Sequence, residues 1–599
     1  MKKNRLLLTI AAAAVLGCVS FACLSCTGMR TSWAVKSFAK DAGANVVEYY
    51  DPPKSAAEHL SNELKAALVK QGSPAAALQK IYESQNYQFR FVTNEKLTAD
   101  YQALRKLITE GIWLEGVDLA PYQIEKMENE EKNLGESLQL LASLDGTALD
   151  QVESASLLQG IKQSSIDDLS TDGIIKFATL PDNKGKYPQL QELLQKAQTA
   201  AEKRDQAIVT LEVIAADNFV RLAEEYGTSA AKLPETWEQS KNKVAETFKS
   251  LEPVTPHYAP LVKELARFRE LAKQPKLPPI NPKASAKIGS QGDLVSEIQA
   301  HLKQEGYWDG ALNGKYDEAL AEAVKRYQAD RQVTEDGKVE RVTIERMNVP
   351  MAERVKQIKL ALHKFRTSAT RGGDYFLRVN VAGQELEVYV EGGKKIARHH
   401  RLVVGNVGAK NHTPLFSDEV EEIVFNPPWM VPPRIIQDEM LPLFQKDPEY
   451  FKKEGYLAKI TYNPDGSLKK IQSVTQPAGP SAALGRVKIN FPNKDDVYLH
   501  DTPLKHLFKR SVRAFSHGCM RLENPLDLAR FLLEKDKNPY FEKVDDILAK
   551  RATFPVELKT KVPIHIEYVT VSTNDQGKAV FFTDPYNLDA DALEKMPSD

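Results

Sequence analysis

Cysteine is nearly missing from this chain of 599 residues: three of its four cysteines are Cys18, Cys23 and Cys26, and Cys519 stands alone in everything that follows. A solitary thiol has no intramolecular disulfide to form, so Cys519 is either a buried, inert side chain or a nucleophile. An excess of charge of one sign is missing too. The 80 Lys and Arg residues balance 81 Asp and Glu, which removes the bulk electrostatic drive toward nucleic acid or an anionic membrane. After residue 25 no apolar run approaches the roughly 20 residues needed to span a bilayer. His399 and His400 are adjacent on a predicted strand and so point to opposite faces, and no Cys/His cluster has zinc-site spacing. No metal or other cofactor is expected.

The N-terminus reads as a targeting segment. Lys2, Lys3 and Arg5 precede an apolar run from Leu6 to Gly17, a basic region followed by a secretory core. Residues 1–26 are a signal peptide or lipoprotein leader, and the folded part is exported. Val15-Leu16-Gly17-Cys18 resembles a bacterial lipobox, so Cys18 is the lipidation candidate ahead of Cys23 and Cys26. An uncleaved anchor over residues 6–25 is the alternative; either would hold the chain at a membrane.

Length alone implies two to four domains. Residues 27–75 read as a polar linker. Residues 76–282 are mostly helical, with Leu211–Tyr226 carrying apolar residues at three-and-four spacing, although Tyr87–Phe91 alternates like a strand. Four prolines between Gln274 and Pro282 mark a semi-rigid connector. In residues 287–349 a helical stripe of Leu294, Ile298 and Leu302 leads to Gly306 and Gly310. A second stripe, Ala321, Val324 and Tyr327, leads to Gly337. From about residue 372 to 585 the period becomes two, with strands at Tyr375–Val381, Glu385–Val390, Arg398–Val404, Glu421–Phe425, Asp496–His500 and Val562–Val571, and a helix at Pro525–Leu533.

Within that β-rich part, His500 is followed after fifteen residues by Ser516-His517-Gly518-Cys519. An imidazole that accepts the thiol proton raises the thiolate fraction, and a glycine beside the thiol lets backbone N–H groups approach a reacting carbonyl. This pattern is similar to the signature of the L,D-transpeptidase catalytic domain of the YkuD type. Asn426-Pro427-Pro428-Trp429, Gln476-Pro477-Ala478-Gly479-Pro480 and Leu484-Gly485-Arg486 resemble the large periplasmic, scaffold-bearing members of that family, and residues 287–349 resemble a small three-helix peptidoglycan-binding domain. Where some members carry Asn two positions after the cysteine, this chain has Arg521.

The resemblance implies a multidomain α+β protein: a helical scaffold domain, the three-helix module and a mostly β catalytic domain. Residues 435–474, long enough to cover a groove and rich in Lys and Glu, read as either a substrate lid or a solvated insertion. It implies Cys519 as nucleophile, His500 as general acid and base, and the Gly518 and Cys519 N–H groups as the oxyanion hole. Ser516 and His517 shape the loop, with direct chemistry by His517 left open. Arg521 orients the loop, meets a substrate carboxylate or serves a structural ion pair. Trp429 walls the substrate groove or belongs to the core, and Asp501 lies beside the imidazole. The implied substrate is a peptidoglycan tetrapeptide stem that loses its terminal D-alanine to form a cross-link, with carbapenem-type inhibitors expected to acylate Cys519. Hydrolysis of the same bond by an L,D-carboxypeptidase, and a non-catalytic wall-binding lipoprotein, are the alternatives.

Overall fold

The computed structural model describes residues 56–112, 115–368 and 373–596, except 71–74, 144–187 and 480. The leader, Cys18, Cys23 and Cys26 lie outside the described residues. The chain divides into two compact units, Met1–Trp113 with Val117–Glu252, and Leu114–Gly116 with Pro253–Asp599.

The first unit is built around the helix Pro188–Glu225. Ala207, Leu211, Ala215, Phe219 and Leu222 are all buried, and so are their neighbours Ile208, Val213 and Val220. Burial on every side over residues 207–220 makes that half of the helix the centre of this unit. Residues 56–70 were expected as linker but form a helix, Ala56–Lys70, whose Leu64 and Leu68 enter this core. The strand expected at Tyr87–Phe91 is also absent. Only Val92–Thr93 (β1) pairs, with Lys96–Leu97 (β2), because a side chain takes the preceding amides. Glu212, fully buried, accepts the Arg90, Phe91 and Val92 N–H groups at 2.6, 2.7 and 2.9 Å and the Tyr82 hydroxyl at 2.6 Å. A carboxylate with that many donors replaces a sheet ladder for this segment.

In the second unit, helices Asp293–Gln304, Glu318–Ala329 and Arg341–Met347 form the module read from residues 287–349. Two glutamines pin its glycine turns in the same way. Gln299 accepts the Gly314 N–H at 3.0 Å and donates to the Lys315 carbonyl at 3.1 Å; Gln328 accepts from Gly337 at 2.9 Å and donates to Lys338 at 2.8 Å. The proline-rich connector is no free tether, since Ile280 exchanges two hydrogen bonds with Asn348 and joins the module core.

The β-rich part holds a nine-stranded sheet made of β3 (Tyr375–Asn380), β4 (Glu385–Val390), β5 (Lys395–Gly405), β6 (Phe416–Phe425), β10 (Val487–Asn490), β11 (Leu499–His500), β12 (Ala514–Ser516), β13 (Met520–Leu522) and β14 (Phe554–Glu567). Their order is β12-β5-β13-β11-β10-β6-β14-β3-β4, and a further β4–β5 pairing closes the sheet on itself. Its inward side chains pack with Leu528, Ala529 and Leu532 of the helix Pro525–Lys535. Between β6 and β10 lies an insertion with a three-stranded sheet of its own, β7 (Trp429–Met430), β9 (Leu468–Gln476) and β8 (Leu457–Tyr462). Val431, Ile436, Phe444, Phe451, Ile471 and Val474 give it a separate core, so the segment expected as a solvated insertion or lid is a small packed subdomain. A hairpin of β15 (Val571–Thr573) and β16 (Ala579–Phe581) packs against helices Tyr258–Ala272 and Met351–Thr367.

Candidate active site

Strands β10, β11 and β13 lie side by side, with Lys488 opposite His500 and His500 opposite Arg521. Because side chains alternate along a strand, Val487, Ile489, Leu499, Met520 and Leu522 point into the core. Lys488, Tyr498, His500, Cys519 and Arg521 therefore share the other face. The Met520 N–H donates to the Tyr498 carbonyl at 3.0 Å, which sets Tyr498 opposite Cys519 and makes His500 and Cys519 diagonal neighbours.

His500 is buried, and its Nδ1–H donates to the Asp501 carbonyl at 2.5 Å. That bond fixes the tautomer and leaves Nε2 as the acceptor. Burial, then the charges of Arg521 and Lys488, push the imidazole down to about 3. Burial pushes the half-buried Cys519 thiol up, against the Tyr498 N–H and hydroxyl, Lys488 and Arg521, which all favour the thiolate. Both groups are thus neutral at rest. Burial of both groups disfavours a separated thiolate–imidazolium pair, against the larger thiolate fraction expected from sequence.

The other expected residues divide. Gly518, at φ +120°, makes the turn into Cys519, and its carbonyl accepts the Thr413 hydroxyl at 2.8 Å. Its N–H, expected in the oxyanion hole, instead donates to Ser516 Oγ at 3.2 Å, while the Ser516 hydroxyl donates to the Cys519 carbonyl at 2.5 Å. Ser516 is thus the brace of the loop. His517 turns away from the thiol to Glu439, Nε2 to Oε1 2.5 Å. Arg521 makes no ion pair among the described residues; burial disfavours its charge and Cys519 favours it. The Asp501 carboxylate accepts the Arg486 N–H at 2.8 Å, the Thr502 N–H at 2.7 Å and the Lys505 ammonium at 2.7 Å. It holds the backbone turn whose carbonyl orients His500.

Two residues of this face were not singled out from sequence, Tyr498 and Lys488. The Tyr498 hydroxyl is a hydrogen-bond partner of Cys519 and receives the Trp429 side chain in turn, so Trp429 reaches the site through Tyr498. The Tyr498 ring meets the His500 ring edge-on with centroids 5.6 Å apart, and Lys488 Nζ stands 4.1 Å above the Tyr498 centroid. The alternation in Val487-Lys488-Ile489 and Val497-Tyr498-Leu499-His500 was the available signal; the register that aligns them was not.

Two family models match parts of this chain. Residues 374–564 match the family model described as "L,D-transpeptidase catalytic domain", and residues 291–347 match one described as "Putative peptidoglycan binding domain". A curated protein of Haemophilus influenzae named "Putative L,D-transpeptidase" is 32% identical over 222 residues, which are 35% of this chain and 44% of that protein. The chain thus spans under half the length of this relative. Among solved structures, an L,D-transpeptidase from Xylanimonas cellulosilytica aligns over 49% of this chain and all of its own, at 15% identity and a TM-score of 0.17. A fused Zn-dependent amidase/peptidase/peptidoglycan-binding protein from Clostridium acetobutylicum aligns over 48% and 100%, at 13% identity and a TM-score of 0.15. Alignments this shallow add nothing to the fold described above. On the two family matches, the chain carries an L,D-transpeptidase catalytic domain over residues 374–564 and a peptidoglycan-binding domain over residues 291–347.

Proposed function

We propose that this chain forms peptidoglycan cross-links by cysteine acyl transfer, cutting a tetrapeptide donor stem after its third residue. The observation that carries the reading is the placement of Cys519 and His500 on one face of adjacent strands, with His500 Nδ1 held by the Asp501 carbonyl. Cys519 Sγ attacks the carbonyl carbon of the third residue while His500 Nε2 takes the thiol proton. The tetrahedral oxyanion is met by the Cys519 N–H and the Tyr498 hydroxyl, the Gly518 N–H being turned to Ser516. When the C–N bond breaks, His500 returns the proton to the departing amine and D-alanine leaves, with the thioester left on Cys519. An amine of a neighbouring stem then attacks the thioester, His500 takes its proton and restores the thiol, and the new amide is the cross-link.

Export and a membrane anchor at Cys18 belong to the same proposal, as does acylation of Cys519 by carbapenem-type β-lactams. The test is incubation of the chain lacking residues 1–26 with tetrapeptide-rich muropeptides, read by mass spectrometry beside Cys519→Ala. Cysteine-dependent dimers that have lost one D-alanine support transpeptidation. Cysteine-dependent tripeptide monomers alone would replace it with an L,D-carboxypeptidase, and unchanged muropeptides would leave the wall-binding lipoprotein.

A further inference from the structure

The catalytic face carries more positive charge than its chemistry uses. Lys488 and Arg521 flank His500 on either side in register, both half-buried, and neither makes an ion pair among the described residues. Cys519 supplies no standing anion, because its thiol is neutral at rest. The Glu422 and Asp496 carboxylates act on Lys488 without pairing with it, only the thiol acts on Arg521, and burial disfavours the charge of both, so an anionic ligand at this face is favoured. Lys488 is the more closely placed, since its ammonium lies over the Tyr498 ring whose hydroxyl meets the sulfur.

The donor of the proposed reaction brings an anion to that distance. In a tetrapeptide stem the free carboxylate belongs to the residue leaving, three bonds beyond the carbonyl under attack, or roughly 4 Å. A pentapeptide carries its carboxylate one residue further, about 3.5 Å more in extended chain. A cation one aromatic ring from the sulfur is placed nearer the first position than the second. We propose that Lys488, with Arg521 facing it across His500, binds the terminal carboxylate of the donor stem and so selects stems ending one residue past the scissile bond. This inference rests on the transpeptidase reading above.

The test compares a tetrapeptide-stem muropeptide with its C-terminal amide and with the pentapeptide stem, on the wild type, Lys488→Met and Lys488→Arg. The wild type is expected to favour the free acid over the amide and the pentapeptide at least tenfold in kcat/KM. Lys488→Met should bring acid and amide within about twofold by lowering kcat/KM on the acid alone, and Lys488→Arg should restore most of the preference. Equal losses on acid and amide, with a shifted pH profile of Cys519 alkylation, would overturn the assignment and make Lys488 a partner of the thiol only. A wild type that turns over acid and amide equally would also overturn it. Absence of any cysteine-dependent turnover by the wild type would instead overturn the transpeptidase reading on which the assignment stands.

Discussion

His517 Nε2 meets Glu439 Oε1 at 2.5 Å, and this contact joins the loop that carries Cys519 to the subdomain inserted between β6 and β10. A second tie runs from Arg434, which donates to the Lys410 carbonyl and to Asn411 Oδ1, each at 2.6 Å. Both ties are exposed, and exposed polar contacts of this kind contribute only about 0–1 kcal/mol. They set where the subdomain rests more than whether it folds, because its own core holds it together.

Glu439→Ala is therefore expected to leave the thermal midpoint unchanged while raising the open population of the subdomain by up to about fivefold, the factor that about 1 kcal/mol allows. Hydrogen exchange over residues 436–446 should quicken, and KM should rise with kcat held. Unchanged exchange in that segment would show that the His517–Glu439 contact does not tie it down.

Gly485 occupies φ +56°, and a Cβ there would lie 2.4 Å from Asp501 Cγ. Asp501 is the residue whose carbonyl orients His500, so a methyl at 485 pushes on the support of the imidazole. Gly485→Ala should cost about 2–4 kcal/mol, combining a left-handed backbone with overpacking, and should lower kcat at least tenfold with little change in KM. Full activity in a destabilised variant would separate the turn from the orientation of the imidazole.

The pH dependence follows from a neutral resting pair. His500 loses its proton only near 3, and the Cys519 thiol is held above its ordinary value. The reactive form, neutral imidazole with neutral thiol, is then the same fraction of enzyme throughout the neutral range. kcat/KM should be flat from about pH 5 to 8, and the rate of Cys519 alkylation should keep climbing through that range without a neutral plateau. A bell with limbs near 6 and 8 would mean a preformed thiolate–imidazolium pair. Arg521→Met removes the charge that opposes protonation of His500 most strongly after burial; an acidic limb should move upward in its kcat/KM profile.

What the sequence disclosed depended on the range of the interaction. The alternation in Tyr375–Val381 and Glu385–Val390 and the helical stripes of residues 287–349 reappear as elements because each is decided by which side is buried. The motif around Cys519 was legible through its resemblance to a family signature, and strand register sets His500 and Cys519 on one face. Two things were hidden. The amides of residues 90–92 are held by Glu212, more than a hundred residues away, which no local pattern records. The place of Lys488 and Tyr498 beside Cys519 depends on strand register, set by the whole closed sheet.

Register also hides the bond between the three-helix module and the β15–β16 hairpin. Arg331 is fully buried, paired with Glu305 and stacked 4.7 Å from the Phe581 ring centre, on whose ring Arg354 also packs at 4.4 Å. Burial together with Arg331 pushes the Arg354 guanidinium down to about 10, while for Arg331 burial is offset by the Glu305 carboxylate together with Tyr307 and Tyr327, which favour its charged form. Glu305→Gln leaves two neighbouring guanidinium groups without that counter-charge in an enclosed space. Breaking a buried pair from one side costs about 3–5 kcal/mol, whereas replacing both partners by apolar groups of similar volume is often neutral. Glu305→Gln should accordingly lower the urea midpoint strongly, and Glu305→Leu combined with Arg331→Met should recover most of the loss. A single variant costing under about 1 kcal/mol would mean that water reaches the pair, and the module would then be joined to the hairpin by the backbone bond from Phe581 to Asp330 rather than by charge.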